Sequence, residues 1–195
     1  MMIDVGRVWE AALVEYSCIP TAFEVEAILD VAVDHANGFR LSERRLEAPY
    51  VKDYDAIADS PEQWPAHFDT SRWALMIARV DGQCVGGATV AYDTPGLDML
   101  EGRSDLAVLW DIRVVPAHRR HGVGAELFKA AETWALERQC RHLKVETQNV
   151  NVAACRFYAR RGCVLRAAHR GVYSRCPSEV QLLWYKDLLY REAAG

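Results

Sequence analysis

The chain has 195 residues, 51% hydrophobic and 26% charged, a mixture that supports one well-cored domain and excludes a disordered or fibrous polymer. Its formal charge of -4 speaks against a general nucleic-acid binder, and no apolar run approaches a membrane span. Six cysteines are scattered without a Cys-x-x-Cys pair or zinc-like spacing, so reduced thiols and no metal are expected, in a soluble cytoplasmic protein.

Apolar side chains at positions 5, 8, 9, 12, 13 and 16 predict an amphipathic helix from Val5 to Tyr16, packed on its own domain or on the second subunit of a homodimer. Thr21 to Val33 is rich in β-branched residues and reads as the first strand of a sheet, with Glu24 and Glu26 on a polar face. From Asp34 to Ser71 only turns and short helices are expected. Asn37-Gly38 marks a turn, and Ser60-Pro61-Glu62-Gln63 reads as an N-cap, a proline at N1 and a capping-box glutamine, with Pro65 ending the helix. Trp73 to Val80 and Gln83 to Tyr92 form a hairpin across Asp81-Gly82, a type I′ signal, and Asp93-Thr94-Pro95-Gly96 turns the chain again.

Leu106 to Val115 is an apolar, β-branched run stopped by Pro116, as a central strand would be. The loop Arg119-Arg120-His121-Gly122-Val123-Gly124 follows, and then a helix with Val123, Leu127, Ala130, Ala131 and Trp134 on one face. A helix's first turn has unpartnered N–H groups at the positive end of its dipole, so an anion docks there. Gly122 and Gly124 remove the Cβ atoms that would hold a diphosphate away, and Arg119 and Arg120 add charge. A dinucleotide fingerprint would need glycine or alanine at Leu127, and a P-loop would need Gly-Lys-Ser/Thr; both fit poorly. A plain surface loop with solvated arginines is the alternative. His142 to Thr147 reads as a second strand, followed by Asn151-x-x-Ala154-x-x-x-Tyr158 on a helix from Val152 to about Arg161. Asn151 is its N-cap, and Gly162 its C′ residue. Cys163 to Tyr173 and Glu179 to Leu188 supply two more strands.

Arg119-x-x-Gly122-x-Gly124, followed by Asn151 and Tyr158, resembles the acetyl-CoA motif of the GCN5-related N-acetyltransferases, over roughly residues 73 to 185. Glu146-Thr147-Gln148, Ala154-Cys155-x-Phe157-Tyr158-Ala159 and Leu183-Trp184-Tyr185 look like the streptothricin acetyltransferase branch, which acetylates an amine of a polycationic antibiotic. The resemblance implies an α/β (α+β) fold: a central mixed, mostly antiparallel, splayed sheet of about six to seven strands flanked by helices. It implies one domain over residues 1–195, with the cofactor motif at 106–163 and the acceptor side at 1–72.

Acetyl-CoA is the implied co-substrate. Its pantetheine is expected on the backbone of Ile112, Arg113 and Val114, its pyrophosphate on Arg119 to Gly124 (His121 and Val123 included), and its remainder near Asn151, Ala154 and Tyr158. Tyr158 is the expected general acid, since a phenol with a pKa of about 10 stays protonated and can protonate a thiolate whose own value is about 8.5. The base is Asp111 or Glu146, either of which could instead pair with an arginine such as Arg113 or contact the substrate without taking a proton. Glu47, Asp53, Tyr54 and Glu101 are expected to meet a small cationic amine, although each also suits a solvated loop. A protein acetyltransferase acting on lysine or an N-terminal amine, and a non-catalytic CoA-binding module, are the competing readings.

Overall fold

The computed structural model describes residues 2–7, 10–34 and 38–188. In chain order the elements are β1 (Met2–Arg7), α1 (Glu10–Ser17), β2 (Phe23–Asp34), β3 (Gly38–Lys52), α2 (Trp64–His67), β4 (Ala74–Val80), β5 (Gln83–Tyr92) and β6 (Leu106–Val114). There follow α3 (Val123–Glu137), β7 (His142–Gln148), α4 (Val152–Arg160), β8 (Val164–Arg170) and β9 (Val180–Asp187). This is the expected α/β class, a mixed sheet flanked by helices. They form two compact units. The first holds the described residues up to Thr21, Ala58–Leu143 and Leu188; the second holds Ala22–Ile57 and Lys144–Asp187.

In the first unit β1, β4, β5 and β6 pair antiparallel in that order. The β4–β5 hairpin turns at Asp81 and Gly82, whose φ values of 50° and 79° are those of the type I′ turn expected there. Two neighbouring glycines on β5 show where the helices lie. A Cβ on Gly86 would meet Val123 and Leu127 of α3, whereas one on Gly87 would stand 2.7 Å from the Tyr16 ring of α1. Successive strand residues point to opposite faces, so α3 covers one face of β5 and α1 the other. α3 buries Val123, Leu127, Phe128, Ala131, Trp134 and Ala135. On the α1 face, Leu13, Tyr16, Trp64 and Trp73 form an aromatic-rich core with Leu75, Ile77 and Val108, and the Trp73 indole N–H donates to Thr94 Oγ1 at 2.7 Å.

Several expectations are corrected. Residues Val5 to Arg7 belong to a strand, not to a helix, because they pair with Met76, Leu75 and Ala74; the helix begins at Glu10, and positions 8 and 9 lie outside the described residues. Edge strand and amphipathic helix can share the same few apolar positions, and only the partner strand decides. Thr21 to Val33 supplies no strand of the first unit's sheet: β2 pairs with β3 in a two-stranded ribbon. The region expected to hold only turns and short helices contains β3. Its period is hidden because pairing jumps from Val25↔Tyr50 to Ala27↔Arg45, which leaves residues 46–49 out of the ladder and gives Pro49 a place where no donor is needed. The turn at 37–38 falls partly outside the described residues; Gly38 itself has φ 86°. Pro65 sits inside α2 at its first turn instead of ending it, and the Ser60 N–H donates to Gln63 Oε1 at 2.9 Å as the capping box requires.

In the second unit β7, β9 and β8 are neighbours in that order, with β8 and β9 antiparallel. Buried Asn149 ties this set to the ribbon. Its Nδ2 donates to the Leu29 carbonyl at 3.0 Å, its Oδ1 accepts from the Val180 N–H at 2.8 Å, and its own backbone exchanges bonds with the same two residues. Lys52 at the end of β3 forms a buried ion pair with Glu179 at 2.6 Å. All six cysteines are free thiols, and among the described residues no helix is long and apolar enough to cross a membrane.

Asn149→Ala leaves the Leu29 carbonyl and the Val180 N–H without their buried partners. Chemical denaturation should show a loss of about 2–4 kcal/mol; a loss under about 1 kcal/mol would mean that water replaces the amide without cost.

Candidate active site

The loop before α3 is shaped for an anion. Arg120 and Gly122 both have left-handed backbone, at φ 64° and 88°, and Gly122 stands at the N-cap of α3 with no side chain to cap the helix. The Ala125 and Glu126 N–H groups donate to the Gly122 carbonyl, but none from Arg120 to Gly124 donates to a described residue. Such a concave run of N–H groups is a nest for a phosphate. Arg119 does less here than its charge suggested. Its Nε donates to the Val114 carbonyl at 3.0 Å and its Nη2 to the Pro20 carbonyl at 3.1 Å, which fixes the base of the loop. Arg120 and His121 are exposed beside the amides.

β6 supplies the next group. The register slips from Thr89↔Asp111 to Val90↔Leu109, so Trp110 is an inserted bulge residue just before the segment expected to carry the pantetheine. The Asp111 carboxylate accepts from Arg113 Nε at 2.6 Å, and the buried Arg113 also donates to the Ile19 carbonyl at 3.2 Å and lies over the Tyr16 ring. Burial pushes the Asp111 carboxyl up against the opposing pull of Arg113. The Tyr16 phenol is pushed up as well, by burial first and then by the Asp111 charge. Ile112 and Val114 are half-buried. The acidic residue expected from the preceding loop, Glu101, faces Arg103 at 3.6 Å.

The second unit carries Glu146, Asn151, Ala154 and Tyr158. Asn151 caps α4 as expected, its Oδ1 accepting from the Ala154 N–H at 3.1 Å. At the other end the Gly162 and Cys163 N–H groups bond the Ala159 and Tyr158 carbonyls, the paired closure of a Schellman motif, with Gly162 at φ 79°. Tyr158 is 3% exposed and packs on the Phe157 ring at 5.1 Å. Below it Cys155 is buried beside Thr147, and burial pushes its thiol up to about 11, so it is no thiolate nucleophile.

Glu146 is held by neutral donors on both oxygens: the Tyr173 hydroxyl donates to Oε1 at 2.6 Å and Gln181 Nε2 to Oε2 at 2.7 Å. Gln148 Nε2 in turn donates to the Tyr173 oxygen at 3.0 Å, and the Tyr54 hydroxyl donates to Gln148 Oε1 at 2.5 Å. Tyr54, expected as a substrate contact, is thus three hydrogen bonds from the carboxylate. Asp53 instead accepts from the Asp55 N–H at 3.1 Å, and Glu47 is exposed on β3. The sequence reading missed Gln148, Tyr173 and Gln181. Gln148 was accessible, since it lies two residues from Glu146 on the same strand face; Tyr173 lies in a loop with no period to betray it. Among the described residues no cluster of side chains has the makings of a metal site.

Known proteins share this chain's sequence pattern and fold. A model of the acetyltransferase (GNAT) family matches residues 39–163. Streptothricin acetyltransferase of Escherichia coli is 32% identical over 166 residues, 84% of each chain, and streptothricin acetyltransferase A of Bacillus subtilis (strain 168) is 27% identical over 146 residues, 74% of this chain and 77% of its own. A Bacillus anthracis str. Ames protein solved in complex with acetyl coenzyme A superposes with a TM-score of 0.76 at 24% identity, over 95% of this chain and 99% of the other. Nourseothricin acetyltransferase superposes with a TM-score of 0.73, also at 24% identity, over 97% of this chain and 100% of its own. At that identity the two structures speak for the fold alone. The chain belongs to the GNAT family of acetyltransferases and is an acetyl-CoA-dependent N-acetyltransferase.

Proposed function

We propose that the acceptor is a small, cationic, amine-bearing molecule of the streptothricin type, and that Glu146 receives the proton its ammonium must lose. The observation that carries this reading is the state of Glu146. It is a half-buried carboxylate with two neutral donors and, among the described residues, no cationic partner. A carboxylate so placed attracts a cation from outside the chain. Three relatives that carry the name streptothricin acetyltransferase, each aligned over most of its length, support the same acceptor. Asp111 suits a different task. Its bond to buried Arg113, which also holds the Ile19 carbonyl, makes it a brace for β6.

Acetyl-CoA supplies the activated acetyl group. The N–H groups of Arg120 to Gly124 are assigned its pyrophosphate, with Arg120 and His121 beside them, while Arg119 holds the loop in shape. The backbone of Ile112, Arg113 and Val114, next to the bulge at Trp110, is assigned the pantetheine, and Asn151 and Ala154, at the first turn of α4, are assigned a further part of the cofactor. Tyr158 gives its phenolic proton to the departing sulfur. Glu47, Asp53, Tyr54 and Glu101 supply negative or polar surface for the acceptor's other cationic groups.

Thiol release from acetyl-CoA, measured across streptothricin, aminoglycosides, polyamines and lysine peptides, should be fastest with the antibiotic cations; turnover on peptides alone would remove this acceptor class. Tyr158→Phe should lower kcat about a hundredfold or more while calorimetry finds acetyl-CoA affinity unchanged, because only the hydroxyl is lost. An unaltered kcat would overturn the assignment. Gly122→Ala forces a side chain into left-handed backbone at a cost of about 1–2 kcal/mol, so the KM for acetyl-CoA should rise about five- to thirtyfold with the acceptor KM little changed.

A further inference from the structure

The hydrogen bonds behind Glu146 run in one direction only, and the direction is forced. An ionised carboxylate can only accept, so Tyr173 must donate to it. The Tyr173 oxygen is then an acceptor, which turns the NH2 of Gln148 toward it and the Gln148 carbonyl away, toward Tyr54. Tyr54 must therefore donate as well. Asn151 is a further partner of the Tyr54 hydroxyl, and the Asn151 amide oxygen is already occupied by the first turn of α4. A continuous line of donors thus leads from the helix that carries Tyr158 to the carboxylate of Glu146.

Both phenols stay protonated along this line. Burial pushes Tyr54 well above its ordinary value; it does the same to Tyr173, helped by the hydrogen bond to Glu146 and by that group's charge. The line is also pinned from outside. Lys52, two residues before Tyr54, forms its buried pair with Glu179 and reaches Cys176 Sγ at 3.2 Å, and the Cys176 N–H bonds the Tyr173 carbonyl at 3.1 Å.

We propose that Tyr173 is a positioning residue for acetyl transfer: its hydroxyl, oriented by Gln148 and Tyr54, holds the Glu146 carboxylate in the orientation that meets the acceptor amine. This deepens the reading of Glu146 as the proton acceptor and rests on it. A carboxylate offers about four lone-pair sites. With Tyr173 and Gln181 each taking one, those that remain are directed instead of free to rotate, and that is what an attack geometry demands.

The test is a double-mutant cycle in the full chain, with streptothricin or whichever panel amine releases most thiol. Tyr173→Phe should lower kcat about tenfold, the scale of one hydrogen bond to a charged group, with the acetyl-CoA KM and the melting temperature unchanged. Tyr54→Phe, two hydrogen bonds further back, should give a smaller loss in the same direction. In a Glu146→Gln background, Tyr173→Phe should have almost no further effect, because the hydroxyl acts through the carboxylate. Additive losses in the double variant, or a normal kcat in Tyr173→Phe beside an impaired Glu146→Gln, would overturn the positioning role. A normal kcat in Glu146→Gln would instead bring down the reading of Glu146 itself, and the proposal with it.

Discussion

The first turn of every helix leaves N–H groups that must find an acceptor, and the two principal helices of this chain meet that demand in opposite ways. α4 satisfies it internally, with Asn151 Oδ1 on the Ala154 N–H. α3 does not: its N-cap is a glycine in left-handed backbone, and the N–H groups from Arg120 to Gly124 donate to no described residue. One helix is thereby finished, and its terminus serves as a fixed support for Tyr158 and Tyr54. The other leaves donors open to water or to an anion from outside. On the proposed reading, the diphosphate of the co-substrate is met by that asymmetry more than by any single arginine, since Arg119 is engaged with carbonyls.

The carboxylates divide along similar lines. In the first unit Asp111 meets Arg113, Glu15 meets Arg79, and Asp105 meets Arg103. Exposed pairs of this kind add little stability, so their effect is chiefly to fix side chains and leave no strong net field. Asp111 and Arg113 differ because the pair is buried, where each ion depends on the other. Glu146 in the second unit accepts, among the described residues, from neutral donors, which orient it without cancelling its charge. A site for a cationic acceptor needs an uncancelled charge of this sort.

Much of the fold was legible. The β4–β5 hairpin, the central strand β6, the buried stripe of α3 and both ends of α4 follow from local rules, namely turn chemistry, period and capping, which operate within a few residues. The first fifty residues were not legible in the same way. Met2–Arg7 and Gly38–Lys52 become strands by pairing, the first with residues about seventy positions away and the second across an irregular register that hides its alternation. Charged residues crowd β3 because both faces of a two-stranded ribbon can stay in water, which removes the hydrophobic period on which reading a strand depends.

The site divides in the same manner. Arg119, Gly122, Gly124, Asn151 and Tyr158 sit at fixed spacings along the chain, because a helix terminus and one helical face are local objects, and the amino-acid order alone determined where they stand. Which carboxylate stays uncancelled was decided only in three dimensions. Asp111 and Glu146 look alike along the chain, and the difference between them comes from Arg113 two residues away in one case and from Tyr173 and Gln181, some thirty residues distant, in the other. Hydrogen bonds between side chains so far apart in sequence depend on strand order and loop path, and no local pattern records either.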